Sequence, residues 1–218
     1  WLRISLDAWD DTSYTASRGV RDGEFKRLMK RIRDFVDLQG GCVIGISLIV
    51  DQKNSKHVYE IVQLLRRTGV HNIKISPCIV SNDGEKNNRY HQQIYSSVRS
   101  QVDRLLADSS NSDFELFDAY HELETKFDKD YEWCPFLQAL CVIGADLNVY
   151  SCQDKAYTDK GMLGSLKEQG FAEFWSEGKS KFHKINPAID CRHHCVANHK
   201  NQMLHEYFNT DQIHKVFV

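Results

Sequence analysis

The 218-residue sequence has no run of Lys and Arg interleaved with aromatic residues, and its 28 basic side chains are slightly outnumbered by 30 acidic ones. The salt-dependent phosphate grip of a nucleic-acid binder has no electrostatic footprint here, so nucleic acid is not an expected partner. Long apolar runs are missing too: "CVIGISLIV" at 42–50 falls far short of a bilayer span. No membrane association is expected, and with no secretory leader ahead of the first strand-like segment the chain reads as cytoplasmic. Internal repeats and long low-complexity segments are also absent. What remains is an ordinary globular balance, 41% hydrophobic and 27% charged, enough for one larger domain or two small ones.

Seven cysteines are present: Cys42, Cys78, Cys134, Cys141, Cys152, Cys191 and Cys195. An odd count in a chain able to bury its own core argues against a secreted disulfide framework, and clustered cysteines in a reducing compartment are more often metal ligands or reactive thiols. Five of the seven follow residue 130, which divides the chain into two parts. The segment "CRHHCVANHKN" at 191–201 gathers two cysteines and three histidines with almost nothing apolar to bury. On spacing alone, Cys134, Cys152, Cys191 and Cys195 suit a structural zinc site of four thiolates. Cys141, in the apolar "LCVIG", is either an alternative ligand to Cys134 or a buried inert thiol, and Cys42 and Cys78 read as core. Two adjacent side chains rarely face one site, so His193 and His194 are expected beside a metal or in solvent rather than on it. His199, His205 and His214 read as helix-surface residues.

From Trp1 to about Ser112 the pattern alternates. "LRISLDA" predicts a strand, and "GEFKRLMKRIRDFVDLQGG" a helix with Phe25, Leu28, Met29, Ile32 and Phe35/Val36 on one face. "CVIGISLIV" predicts a second strand, "SKHVYEIVQLLRRTG" a helix ended by Gly69, "HNIKISPCIV" a third strand and "YHQQIYSSVRSQVDRLLAD" a third helix. Strands buried on both faces and separated by amphipathic helices argue for a parallel sheet. Three such units do not close a barrel, and earlier strands are expected outside this sequence. The expected fold class is therefore α/β: a partial (β/α) barrel of later strands over 1–112, then a small α+β domain over 113–218. The second part should hold short strands, a hairpin around Asp146-Leu147-Asn148 and a short helix near "FAEFW".

In a β/α barrel the strand C-termini face the active site, so Ser5 and Asp7, at the end of the first strand, are candidates for binding. Arg18 offers either a carboxylate-matching fork or a surface salt bridge. Asn54 is either a ligand contact or the N-cap of the following helix. "QDKAYTDKG" sets Asp154, Lys155 and Tyr157 just after Cys152, where hairpins usually carry simple turn residues; these three are the candidate catalytic group.

Both parts resemble one family. "LRISLDA", "SRGV", "DQKNSKHVYEIVQLLRRTGV" and "IKISP" are similar to the fourth to sixth β-α units of radical S-adenosylmethionine enzymes. "WCPFLQALCVIGADLNVYSCQDKAY" looks like the entry to the C-terminal iron-sulfur extensions of that superfamily, the SPASM domain and its shortened twitch form. There, a cysteine is followed after a variable gap by a hairpin Gly four residues short of a second cysteine. Cys134 and Cys152 match, with seventeen residues between them, although Leu147 stands where the Gly is expected. Cys191 and Cys195 match the closing pair, and no further cysteine follows, as in the twitch type.

The resemblance implies an auxiliary [4Fe-4S] cluster on Cys134, Cys152, Cys191 and Cys195, and S-adenosylmethionine near Ser5, Asp7, Arg18 and Asn54. The cofactor-cleaving cluster needs a Cys-x3-Cys-x2-Cys motif, which is absent; after Cys191 and Cys195 the third position is Asn198. That second [4Fe-4S] cluster is expected on a missing N-terminal half of the barrel, and this chain alone is expected to be inactive. The implied activity is hydrogen abstraction by a 5′-deoxyadenosyl radical, with the auxiliary cluster accepting an electron in the dehydrogenation of a small hydroxylated molecule or a peptide. An electron donor such as flavodoxin or ferredoxin is the implied partner. In related enzymes an acidic residue beside the hairpin cysteine accepts a proton; here Gln153 has that place and Asp154 follows. The rival reading is a non-catalytic, zinc-stabilised α/β module that binds a partner.

Overall fold

A computed structural model describes residues 1–218 except 39, 82, 110–113, 122–127, 194 and 211–218. It divides into two compact units, Trp1–Val80 with Lys86–Glu124, and Ser81–Glu85 with Thr125–Val218. His194 and His214 lie outside the described residues.

The first unit is α/β. Strands β1 (Leu2–Ser5), β2 (Ile44–Val50), β3 (Asn72–Pro77) and β4 (Glu115–Asp118) lie in that order in one parallel sheet. Parallel pairing throughout brings all four C-terminal strand ends to one edge. The central strands carry the core: Ile46, Leu48, Val50, Ile73 and Ile75 are fully buried. Short α1 (Asp11–Arg18) begins with a capping box between Asp10 and Ser13 and ends at Gly19 in the left-handed conformation. Helix α2 (Glu24–Asp37) buries Phe25, Met29 and Ile32, with Leu28 and Val36 packed partly against the core, while Phe35 is exposed. Helix α3 (Val58–Arg66) buries Val58, Ile61, Val62 and Leu65, a helical spacing that turns one face to the sheet. On β2, Gly45 leaves room for Arg3 of β1 to reach Asn72 of β3, which sit at the same register; a Cβ on Gly45 would come 2.4 Å from Asn72 Oδ1.

One expectation is corrected here. The third helix is two, α4 (Gly84–Gln92) and α5 (Tyr95–Ser109). The break follows His91, whose ring is tied to the Cys78 carbonyl at 2.9 Å and the Tyr120 hydroxyl at 3.1 Å, so tertiary bonds override a helical pattern continuous in sequence. β4, which follows residue 112, pairs with β3 and lies in the first unit. Its four residues, "ELFD", are too few for a clear alternating pattern.

The second unit holds a three-stranded antiparallel sheet of β5 (Val142–Ile143), β6 (Asn148–Tyr150) and β7 (Met162–Ser165). Helices α6 (Phe171–Ser176), α7 (Pro187–Asp190) and α8 (Asn198–Asn209) follow. Its small core is Leu137, Phe182, Ile185 and Cys191, with Cys134 and Trp175 packed against them. The β5–β6 turn is closed by Leu147 N–H donating to Gly144 O at 3.0 Å and by Gly144 N–H donating to Asn148 O at 2.9 Å. Such a loop needs a left-handed residue before the second strand, and Leu147 supplies it at φ 62. Among the described residues, no helix is long and apolar enough to cross a membrane.

Candidate metal centre

Four of the seven cysteines come together in the second unit. Cys134 precedes a 3-10 turn over Pro135–Gln138, and Cys152 leaves β6 and opens a second 3-10 turn over Gln153–Lys155. Cys191 caps the C-terminal end of α7, and Cys195 lies just ahead of α8. All four line one cavity of about 40 Å³, together with Lys129, Tyr131, Lys155 and His193. On the scale at which one buried water takes roughly 10–15 Å³, that is room for about three, more than a single ion requires. Cys141 is half-buried and does not line this cavity.

The potential ligand atoms that draw together are not the four sulfurs alone. Four thiolates on zinc, each bonded at about 2.3 Å, would stand about 3.8 Å apart. Among the described residues, the potential ligand atoms that all fall within 4.8 Å of one another belong to Asp154, His193 and Cys195, and include one of the four thiols.

Burial is the leading cause of the thiol electrostatics. It raises Cys134, Cys152 and Cys195 above the usual thiol range and pushes Cys191 up to about 12. Lys155 acts against that rise at Cys191, as Lys129 does at Cys195. Buried Lys129 donates to the His193 carbonyl at 2.7 Å; its own pKa is lowered by desolvation, partly offset by the neighbouring sulfurs. Lys155 also donates to the Asp190 carbonyl. The site thus carries two cations placed to balance thiolate charge. His193 Nε2 and Ser151 Oγ, both lining the cavity, are buried without a hydrogen-bond partner.

The candidate catalytic residues separate. Lys155 lines the cavity, and Asp154 Oδ2 lies 3.5 Å from His193 Nε2. Tyr157 turns away: it is 66% exposed, accepts from the Ala145 N–H at 3.1 Å and packs on Tyr150 across the hairpin.

In the first unit, Ser5, Asp7 and Arg18 meet at the C-terminal end of β1. Arg18 Nη2 stands 3.1 Å from Asp7 Oδ2 and 3.5 Å from Ser5 Oγ. Asp7 Oδ1 also accepts from the Ile49 N–H at 2.8 Å. Desolvation nevertheless raises the Asp7 pKa, outweighing that bond and the Arg18 charge. Asn54 is not the N-cap of α3; His57 is, without a side-chain bond. The buried Asn54 amide instead clamps two strand ends, donating to Asp7 O and Ile49 O and accepting from the Asp51 N–H at 2.9 Å.

Two features had little signal in sequence. Asn201, on α8 and 1% exposed, donates to Cys134 Sγ at 3.1 Å and accepts from the Phe136 N–H at 3.0 Å. It lies ten residues beyond Cys191 in a segment that reads simply as polar. At the end of β4, Asp118 accepts from His121 Nδ1 at 2.6 Å while the buried His121 Nε2 has no partner. No protein-family model matches the chain, and no curated protein matches it.

Proposed function

We propose that this chain is the later part of a radical S-adenosylmethionine enzyme, built from a partial (β/α) barrel and a twitch-like auxiliary-cluster domain. The observation that carries the reading is the convergence of Cys134, Cys152, Cys191 and Cys195 on one cavity flanked by Lys129 and Lys155. Sulfurs that share a cavity without crowding one point suit a multi-iron cluster, in which each thiolate bonds a different iron, better than a single zinc. When bound, an auxiliary [4Fe-4S] cluster supplies one-electron acceptance, and the radical cofactor supplies hydrogen abstraction from a small hydroxylated molecule or a peptide.

The chain's own residues prepare both centres. Lys129 and Lys155 offset charge at the thiolates, and Asn201 orients Cys134 through the Sγ contact. Asp154, in contact with His193, is the proton acceptor of this reading in place of the Asp154, Lys155 and Tyr157 trio. At the sheet edge, the Arg18–Asp7–Ser5 group supplies a guanidinium and a hydroxyl for the amino-acid end of S-adenosylmethionine, while Asn54 fixes the backbone around it. The remaining barrel strands with the Cys-x3-Cys-x2-Cys motif, and a flavodoxin- or ferredoxin-type donor, complete the enzyme.

The test is anaerobic iron, sulfide and zinc content of the reconstituted chain. About four irons and four sulfides are expected, lost in Cys191→Ala/Cys195→Ala and kept in Cys141→Ala. Zinc bound through Cys134 and Cys152, without iron, would overturn the reading in favour of a zinc-stabilised module.

A further inference from the structure

We propose that Asp154, His193 and Cys195 form a binding site for a single divalent ion of the zinc class, with a ligand set that shares only Cys195 with the four-thiol site. Their ligand atoms lie within 4.8 Å of one another, close enough to bond one ion after small side-chain rotations. His193 Nε2 is the second, independent observation: the side chain is 5% exposed and this nitrogen has no hydrogen-bond partner. It stands 3.5 Å from Asp154 Oδ2, in ion-pair range but without hydrogen-bond geometry. A buried imidazole nitrogen without a hydrogen-bond partner costs free energy, and a bound metal ion would satisfy it.

The chemistry of the set is specific. One nitrogen, one carboxylate oxygen and one thiolate sulfur match the borderline softness of Zn²⁺ and of its optical substitute Co²⁺. Ionised Asp154 and Cys195 bring two negative charges, which neutralise a dication. The positions are held from behind: Lys129 anchors the His193 carbonyl at 2.7 Å, and Asp154 sits in the 3-10 turn over Gln153–Lys155. Three protein ligands leave a fourth tetrahedral position for water or a substrate oxygen, as in catalytic zinc sites. His193 and Cys195 line the cavity, which gives that position somewhere to open.

This site does not depend on the cluster reading, although the two loads exclude each other at Cys195. Co²⁺ titration of the full chain, metal-free and reduced under argon, tests it by optical absorption. About one equivalent should bind with charge-transfer absorption from a single sulfur. His193→Gln and Asp154→Asn should each weaken binding at least about 10-fold, the loss typical even of groups that merely support a ligand. Cys134→Ser and Cys152→Ser should leave the affinity within about 2-fold, because neither residue belongs to the set. His193→Cys, which restores a soft ligand, should recover binding and guards against a simple folding defect, checked by circular dichroism. Binding lost in Cys134→Ser and Cys152→Ser but kept in His193→Gln would overturn the proposal, as would no saturable binding below about 1 mM. Iron and sulfide reconstitution of His193→Gln reads the cluster separately: a full cluster in a variant that has lost Co²⁺ supports two distinct ligand sets.

Discussion

Leu147 holds a backbone conformation that its side chain opposes, and the size of that opposition can be worked out. At φ 62 its Cβ crowds the following carbonyl, a penalty of about 1–2 kcal/mol for an L-residue. Glycine escapes it but gives back roughly 0.5–1 kcal/mol through its freer unfolded chain. Because the side chain is 49% exposed, replacing Leu directly also changes burial, so the informative comparison is between Leu147→Ala and Leu147→Gly. Both variants lose the same packing beyond Cβ, and only alanine keeps the clash. Leu147→Gly should therefore be more stable than Leu147→Ala by about 0.5–1 kcal/mol, with Leu147→Asn between them. With a urea slope near 2 kcal/mol/M, the midpoints should differ by about 0.3–0.5 M. Fluorescence in a Trp1→Phe/Trp9→Phe background follows the second unit through Trp133 and Trp175. An alanine variant as stable as the glycine variant would refute the strain argument. That outcome would also remove the physical reason for expecting glycine at this turn.

His91 is held neutral mainly by burial, with its pKa lowered from the ordinary 6.5 despite the bond to Cys78 O. Below that value the unfolded chain binds the proton more readily, so stability is complete above about pH 6.5 and is lost as pH falls toward the folded value. Urea midpoints between about pH 7.5 and 5 should fall more steeply for the native chain than for His91→Gln, and parallel profiles would refute this. Asn201→Ala leaves the Phe136 N–H unpaired and strips the amide from Cys134. It should cost about 2 kcal/mol in chemical denaturation and release metal or cluster from the second unit faster under chelator challenge.

Legibility tracked how local each determinant is. The parallel strands and the faces of α2 and α3 follow from runs of Ile, Leu and Val at strand or helix spacing, and Phe25, Met29, Ile32, Ile61, Val62 and Leu65 are buried as that spacing predicts. β4 was hidden because "ELFD" gains its strand identity from pairing with β3, not from its own pattern. The division into α4 and α5 was hidden because His91 bonds to groups distant in sequence. In the second unit, residue type alone singled out the four cysteines that share one cavity. The outward direction of Tyr157 was not legible, because proximity in sequence to Cys152 says nothing about direction and the chain turns at φ 59 there. Asn201, a polar residue on a polar helix, becomes informative only once it is seen buried against a sulfur.

The cavity's composition sets up a conflict that a metal resolves. A core normally gains by burying thiols as neutral, inert groups, and Cys191 at about 12 is firmly in that state. A core meant only to be apolar would not also bury Lys129, lower its pKa, and leave His193 Nε2 without a hydrogen bond near Cys195. Those groups are costly against neutral thiols and favourable against thiolates. Loading a metal removes the thiol protons, adds negative charge beside the lysines and can satisfy the imidazole, so binding free energy enters the stability of the whole second unit. The metal-free second unit should then be the weaker of the two against protease, and loading should protect it while leaving cleavage within Trp1–Val80 unchanged.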